Sequence, residues 1–228
     1  IASWAQANPS LGIRLHPDVI TDERSAMDDE TFARERGGVW ALEGVAGRAI
    51  PWPRWVDCRD TDRAPGRPDS IGLAGSLDGA WASIGAAGLV GDVLEVGAVD
   101  RRPGSEWIVA EAFRIQSERG VAVVIDKRGP LSHLIPRLEA AGVRLTELDT
   151  TEWTDACGAM WQHVDTGRLV HPGHPELDDA VKVATWRPVG DRRAFGRKSG
   201  DISMLEAVTL AAHHAESLAA YDVLDSIL

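Results

Sequence analysis

Gly120-Val121-Ala122-Val123-Val124-Ile125-Asp126-Lys127-Arg128-Gly129-Pro130 is the stretch around which the chain is organised. Its five consecutive apolar residues, four of them β-branched, read as a strand buried on both faces. The run closes on a carboxylate, two cations and Gly-Pro. In an α/β sheet a parallel strand delivers chemistry at its carboxyl end, where the chain leaves the core, and Asp126 sits there. The plainer role for Asp126 is to start a turn and help cap the helix after Pro130. Both roles stay open on this stretch alone.

Working outward, the period changes on either side of the strand. Ser105 to Arg119 places Trp107, Ile108, Ala112, Phe113 and Ile115 at helical spacing, and Gly120 is its stop. Downstream, Leu131 to Ala141 reads as a helix ended by Gly142, and Val143 to Leu148 as a fifth strand. Upstream, Ile71 to Gly75, Trp81 to Val90 and Val93 to Val99 read as three strands joined by tight turns at Ser76-Leu77-Asp78-Gly79 and Gly91-Asp92. The fold class is therefore α/β: a mixed five-stranded sheet, three antiparallel strands followed by βαβ, flanked by helices. That order brings the first strand beside the fourth and lays the last helix across them.

Beyond the fifth strand, Thr151 to Asp165 is helical with Thr150 or Thr151 as cap. Leu169-Val170-His171 is a brief extended piece, Leu177 to Trp186 a helix, and Arg187 to Lys198 a basic loop or hairpin. Asp201 to Leu218 is an Ala-rich helix with Ile202, Leu205, Val208, Thr209 and Ala212 along one face. Residues 1–69 differ. Asn8-Pro9, His16-Pro17, Pro51-Trp52-Pro53 and Ala64-Pro65-Gly66-Arg67-Pro68 interrupt them, with a helix expected over Asp18 to Arg36. They read as a linker or the tail of a preceding domain. The chain opens at Ile1 without an initiator Met and is expected to be a fragment of something longer.

A hydrophobic content of 44% with 26% charged residues is ordinary for a soluble globular protein, and no apolar run or leader signals a membrane or secretion. Cys58 and Cys157 have no metal-like spacing, and a reducing, intracellular setting is expected. The formal net charge of -11 argues against bulk attraction to nucleic acid. Against it, Lys182, Arg187, Arg192, Arg193, Arg197 and Lys198 form a local basic strip opposed only by Asp191.

Several chemistries are excluded by their missing signatures. Gly196-Arg197-Lys198-Ser199-Gly200 lacks the buried strand and spacing of a nucleotide-binding P-loop, and no G-x-S-x-G elbow occurs. His163, His171 and His174 lie near one another, but no Cys or acidic ligand completes a zinc spacing. Carboxylates remain. Asp126 ends the central strand, and Asp201 opens the last helix, where it would also serve as a cap. Asp78 lies in an Asp-Gly turn that needs no functional explanation.

Val124-Ile125-Asp126 and Lys198-Ser199-Gly200-Asp201-Ile202-Ser203-Met204-Leu205-Glu206-Ala207 resemble the second and third acidic motifs of the nuclease domain of phage large terminases, a ribonuclease H-like fold. Gly167 to His171 with Leu177 to Val181 is similar to the family between those motifs. Ala7 to Gly12 and Phe32 to Trp40 look like the stretch leaving the terminase ATPase domain. The resemblance implies a ribonuclease H-like nuclease domain at 70–228, behind a tail of the ATPase domain at 1–69. It implies a metal-dependent endonuclease that cuts concatemeric double-stranded DNA with two divalent cations, Mg2+ or Mn2+. It implies catalytic and metal-binding roles for Asp126 and Asp201, and DNA contact by the basic strip. Implied partners are the ATPase domain of the same polypeptide, the small terminase subunit and the portal, in the host cytoplasm and without a membrane.

One position departs from the family. The first strand there carries an Asp followed by Gly-Ser, and here Ala74 precedes Gly75-Ser76. Ala74 thus replaces the expected first catalytic Asp, which would weaken metal binding and abolish cleavage. A competing placement gives the role to Asp78. Two other functions fit the same residues: a non-catalytic DNA-binding or docking module of the packaging motor, and another ribonuclease H-like nuclease such as a junction resolvase.

Overall fold

A computed structural model describes residues 47–63 and 66–225. The helix expected over 18–36 and the segments likened to the end of an ATPase domain lie outside the described residues.

The chain runs through α1 (Trp52–Asp57), β1 (Ser70–Gly75), β2 (Trp81–Val90), β3 (Val93–Pro103), α2 (Ile108–Arg119) and β4 (Ala122–Asp126). It continues through a 3-10 turn (Ser132–Leu134), α3 (Ile135–Ala140), β5 (Leu145–Leu148), α4 (Thr150–Asp165), β6 (Leu169–Val170) and α5 (Pro175–Val183). A hairpin of β7 (Thr185–Val189) and β8 (Arg192–Gly196) and the long helix α6 (Ser203–Asp225) complete it.

The sheet is mixed, as the period changes implied, in the order β5-β4-β1-β2-β3-β6. β1 pairs antiparallel with β2 and parallel with β4, and β4 pairs parallel with β5. The expected five strands become six, because Leu169 and Val170 pair in parallel with Leu94 and Glu95 at the far edge. Two residues are too few to leave a periodic signal.

Every residue of β1 is buried, so both sheet faces are covered. Ile71, Leu73, Ala82, Ile84, Val123 and Ile125 pack on one face with Ile108, Ala112 and Ile115 of α2 and Leu138 of α3. Ala74, Ala87, Val96 and Val124 pack on the other with α6 and α4. This is the alternation that a strand imposes on successive side chains.

Local signals moved several boundaries. α4 is capped by Asp149 rather than by a threonine: its carboxylate accepts from Thr151 and Glu152 N–H, and Glu152 answers back to Asp149 N–H. Pro136, at the start of α3, confines the segment before it to a 3-10 turn. α5 ends at Val183, and Trp186 belongs to the hairpin.

The domain also begins earlier than Ser70. Ile50 and Trp55 are fully buried in the same core, and the compact unit starts at Arg48. Trp55 Nε1–H donates to Asp178 at 2.8 Å, Arg59 pairs with the same carboxylate at 2.5 Å, and the His171 ring stacks on Trp55 with centroids 4.0 Å apart. Residues 48–59 were expected to be linker, and this staple makes them part of the domain.

His171 in that staple bonds through both ring nitrogens, Nε2 to the Trp55 carbonyl at 2.9 Å and Nδ1 accepting from Gly173 N–H at 3.2 Å. Burial pushes its pKa below the ordinary 6.5, outweighing the Trp55 carbonyl. The folded state then holds the neutral ring while the unfolded chain binds a proton, so stability is lost as pH falls below that value. Thermal unfolding from about pH 8 to about pH 5.5 should show a midpoint that falls with acidification, and His171→Gln should flatten part of that fall. Identical pH profiles for the two proteins would remove His171 as the cause.

Candidate active site

The site is built by three elements meeting at the carboxyl ends of β1 and β4. Leu73 lies opposite Ile125 in the parallel register, so the next residues, Ala74 and Asp126, point together to the α6 face. Asp126 is nearly buried, with 7% of its surface exposed. Its Oδ1 accepts from Arg128 N–H at 2.8 Å, and its Oδ2 from the Arg197 guanidinium at 3.2 Å. The turn expected after the strand is present, and the cap is not. One oxygen starts the turn and the other faces the site, while the helix after Pro130 takes no cap bond from it.

α6 reaches this point because the sheet beneath it is almost bare. A Cβ on Gly72 would meet the Ala207 carbonyl oxygen at 2.0 Å, and one on Gly85 would meet Val208 N at 2.5 Å. Helix backbone thus rests on strand backbone, and Ser203 bonds Ser83 across the contact at 2.8 Å. Seated this close, α6 buries Glu206 beside Asp126.

Arg197, which follows β8 directly, joins the two acids. Its Nε–H donates to Glu206 Oε1 at 2.6 Å while its terminal nitrogen bonds Asp126. Glu206 Oε2 is buried with no hydrogen-bond partner. Burial pushes the Glu206 carboxyl up to about 7 in spite of Arg197. Burial alone would lower the Arg197 guanidinium, but Glu206 and Asp126 outweigh it and hold it above the usual arginine value. Ala74, Asp126, Arg197, Glu206, Trp153 and Leu210 line a cavity of about 10 Å³, at the lower limit for one water molecule.

Asp201 stands apart from this cavity. It precedes α6, where Oδ1 accepts from Ser203 N–H at 2.8 Å, and Oδ2 binds Arg101 at 2.6 and 3.1 Å. Arg101 stands on β3 opposite Ser83 and its guanidinium lies over the Trp81 ring of β2 at 3.9 Å, and neither Arg101 nor Asp201 lines the cavity. Asp78 stays in its turn, where the Ser76 hydroxyl and Ala80 N–H hold its carboxyl below the ordinary range. It does not line the cavity.

The basic strip divides. Arg197 is turned inward, its side chain 15% exposed, and is no surface cation. Arg192 pairs with Asp155, Lys182 pairs with Asp179 at 2.8 Å, and the Arg193 guanidinium lies 4.1 Å from the Trp186 ring. Arg187 and Lys198 form no ion pair among the described residues.

The residues present do not fit a two-cation centre. Among the described residues no three His, Cys, Asp or Glu side chains converge as metal ligands. Position 74 contributes a methyl group, and a guanidinium already lies between the two carboxylates that do meet. Glu206 in this role escaped the sequence reading, although it shares the apolar face of its helix with Ile202, Leu205 and Thr209. A lone acid on such a face is the signal that marks a buried partner.

The fold is ribonuclease H-like, and the solved structures that resemble it include phage large terminases. The HK97 bacteriophage large terminase aligns with a TM-score of 0.61 at 16% identity, over 94% of this chain and 54% of that one. The large terminase nuclease from thermophilic phage G20c aligns at 0.55 and 15% identity, over 72% of this chain and 97% of that one. The same nuclease with bound magnesium gives 0.51 at 16% identity, over 67% and 84% of the two chains. The chain thus spans about half of a whole large terminase and nearly all of an isolated nuclease. At these identities the likeness is one of fold. No family model and no curated protein matches the chain.

The glycine contact under α6 is directly testable. Gly72→Ala should cost at least about 3 kcal/mol in chemical denaturation, since the clash is with backbone that cannot rotate away. Gly97→Ala, where the added atom meets only the His174 ring at 3.5 Å, is the control and should cost far less. Equal costs would mean that the close approach is not what seats the helix.

Proposed function

We propose that this chain is the endonuclease domain of a viral DNA-packaging large terminase, with its cleavage centre disabled at Ala74. The observation that carries this reading is the juxtaposition of Ala74 and Asp126 on adjacent parallel strands, facing one cavity beneath Glu206. An acid at position 74 would close a carboxylate set where the chain has a methyl group. The match to terminase nucleases, one of them with bound magnesium, supports the choice of chemistry.

Phosphodiester hydrolysis needs an activated water and stabilisation of charge on phosphate and leaving group, which divalent cations held by carboxylates supply. The Mg2+ or Mn2+ pair of the family would require the missing acid, so no cleavage step is assigned to this chain's own residues. What they do is hold the scaffold. Arg197 keeps Asp126 and Glu206 together, and Arg101 fixes Asp201 at the head of α6.

Double-stranded DNA is the proposed ligand of the hairpin and its surroundings. Arg187, Arg192, Arg193, Lys182 and Lys198 would contact phosphates rather than read bases. The ATPase domain would belong to the same polypeptide, consistent with a chain spanning 54% of the HK97 protein. The small subunit, the portal and a site of action in the host cytoplasm complete the proposal. Asp78 as substitute acid is disfavoured by its place outside the cavity. The non-catalytic DNA-binding module keeps weight as a second reading, because methyl and guanidinium groups stand where acid and cation are needed.

Ala74→Asp should convert a chain that leaves supercoiled plasmid intact into one that nicks it with Mn2+ or Mg2+. A folded Ala74→Asp variant with no such gain would contradict the disabled-nuclease reading. For DNA binding, replacing Arg187, Arg193 and Lys198 with Gln should lower the slope of log affinity against log salt by about two to three units. An unchanged slope would take the hairpin out of the DNA interface.

A further inference from the structure

The cavity between β4 and α6 is closed by a group that the catalytic reading does not use. Arg197 donates from two nitrogens to acids on two different elements, Glu206 at 2.6 Å and Asp126 at 3.2 Å. Its position is fixed from behind by the hairpin. Phe195 is fully buried, stacked on Trp186 with centroids 5.1 Å apart and edge-on to Trp153 at 6.4 Å. A Cβ on Gly196 would meet Thr185 Oγ1 at 2.7 Å, so the strand end has little room to shift.

We infer that Arg197 is the resident cation of this site: its guanidinium takes the place between Asp126 and Glu206 that a divalent ion would occupy, so the chain folds and holds these acids without metal. Size decides between the two cations. Mg2+ keeps several waters when it binds protein carboxylates, and each water needs at least about 10–15 Å³ of space for its centre. The cavity offers about 10 Å³, so a hydrated ion enters only if Arg197 leaves. Leaving is costly, because both acids are buried and would lose the guanidinium bonded to both. With alanine at position 74, two carboxylates and one guanidinium fit together.

The inference rests on reading this cavity as the counterpart of a cation centre, and its test needs no DNA, so its failure is distinguishable from failure of the nuclease proposal. The full chain is unfolded thermally in EDTA and in millimolar MnCl2. The wild-type midpoint should be the same in both within about 1 °C. Arg197→Met should fall by roughly 10 °C in EDTA and recover at least half of that with Mn2+, while Arg197→Lys stays indifferent to metal. A saturable Mn2+-induced rise in the wild type, or an Arg197→Met variant that folds and ignores Mn2+, would overturn the inference. Should Arg197→Met not fold in EDTA, the paired Arg197→Met/Glu206→Met variant decides. Recovery of folding supports charge compensation, and failure to recover refutes it.

Discussion

Contact between the backbone of α6 and the backbone of β1 and β2 is the constraint on which the rest of the structure depends. A helix on a sheet ordinarily rides on a layer of side chains, but here Gly72 and Gly85 remove that layer where Ala207 and Val208 come down. Small neighbours extend the bare face, with Ala74 beside Gly72 on β1 and Ala87 beside Gly85 on β2. The helix meets it with Leu205, Val208, Leu210 and Ala211, all buried. Three polar consequences follow from that one approach. Ser203 reaches Ser83, Asp201 reaches Arg101, and Glu206 is pressed against Asp126 with almost no solvent between them.

Pressing acids together inside a protein requires a compensating positive charge or a proton. This chain uses a guanidinium, although burial still pushes the Glu206 carboxyl up to about 7. Such buried ionic clusters contribute little net stability against an apolar core of the same shape, but breaking one partner is expensive. Their more useful property here is positional. Asp126 ends the central strand, Arg197 follows the hairpin and Glu206 lies in the last helix, so one cluster ties β4 to two elements that begin far downstream of it. With a methyl group at position 74, two acids and one guanidinium form an arrangement that is charge-compensated without a metal ion.

What was legible in the sequence was whatever a local period or punctuation mark could encode. The run from Val121 to Asp126, bounded by Gly120 and Gly129-Pro130, gave the central strand and the acid at its tip. The turns at Asp78-Gly79 and Gly91-Asp92 gave the antiparallel meander, and helix periods on either side of β4 gave the parallel crossover. The proposal that position 74 lacks an acid rests on the flanking Gly75-Ser76, which match the register of the resembled family. What escaped depended on contacts between remote residues. Trp55 and Asp178 are 123 positions apart, and nothing local marks the segment around Trp55 as part of the core. Arg197 looked like one more cation in a basic strip, because inward and outward arginines have the same letter. Asp201 looked like the natural partner of Asp126, but its carboxylate is taken by Arg101, and Glu206, five residues further on, shares the cavity with Asp126.

The central claim is that the acids at the end of β4 and in the first turn of α6, Asp126 and Glu206, hold an arginine rather than a metal ion between them. Crystals of the chain soaked in MnCl2 and measured at the manganese absorption edge test it directly. The account predicts guanidinium density between Asp126 and Glu206 and no anomalous peak there. A manganese peak bridging those two carboxylates, with Arg197 displaced toward solvent, would contradict it.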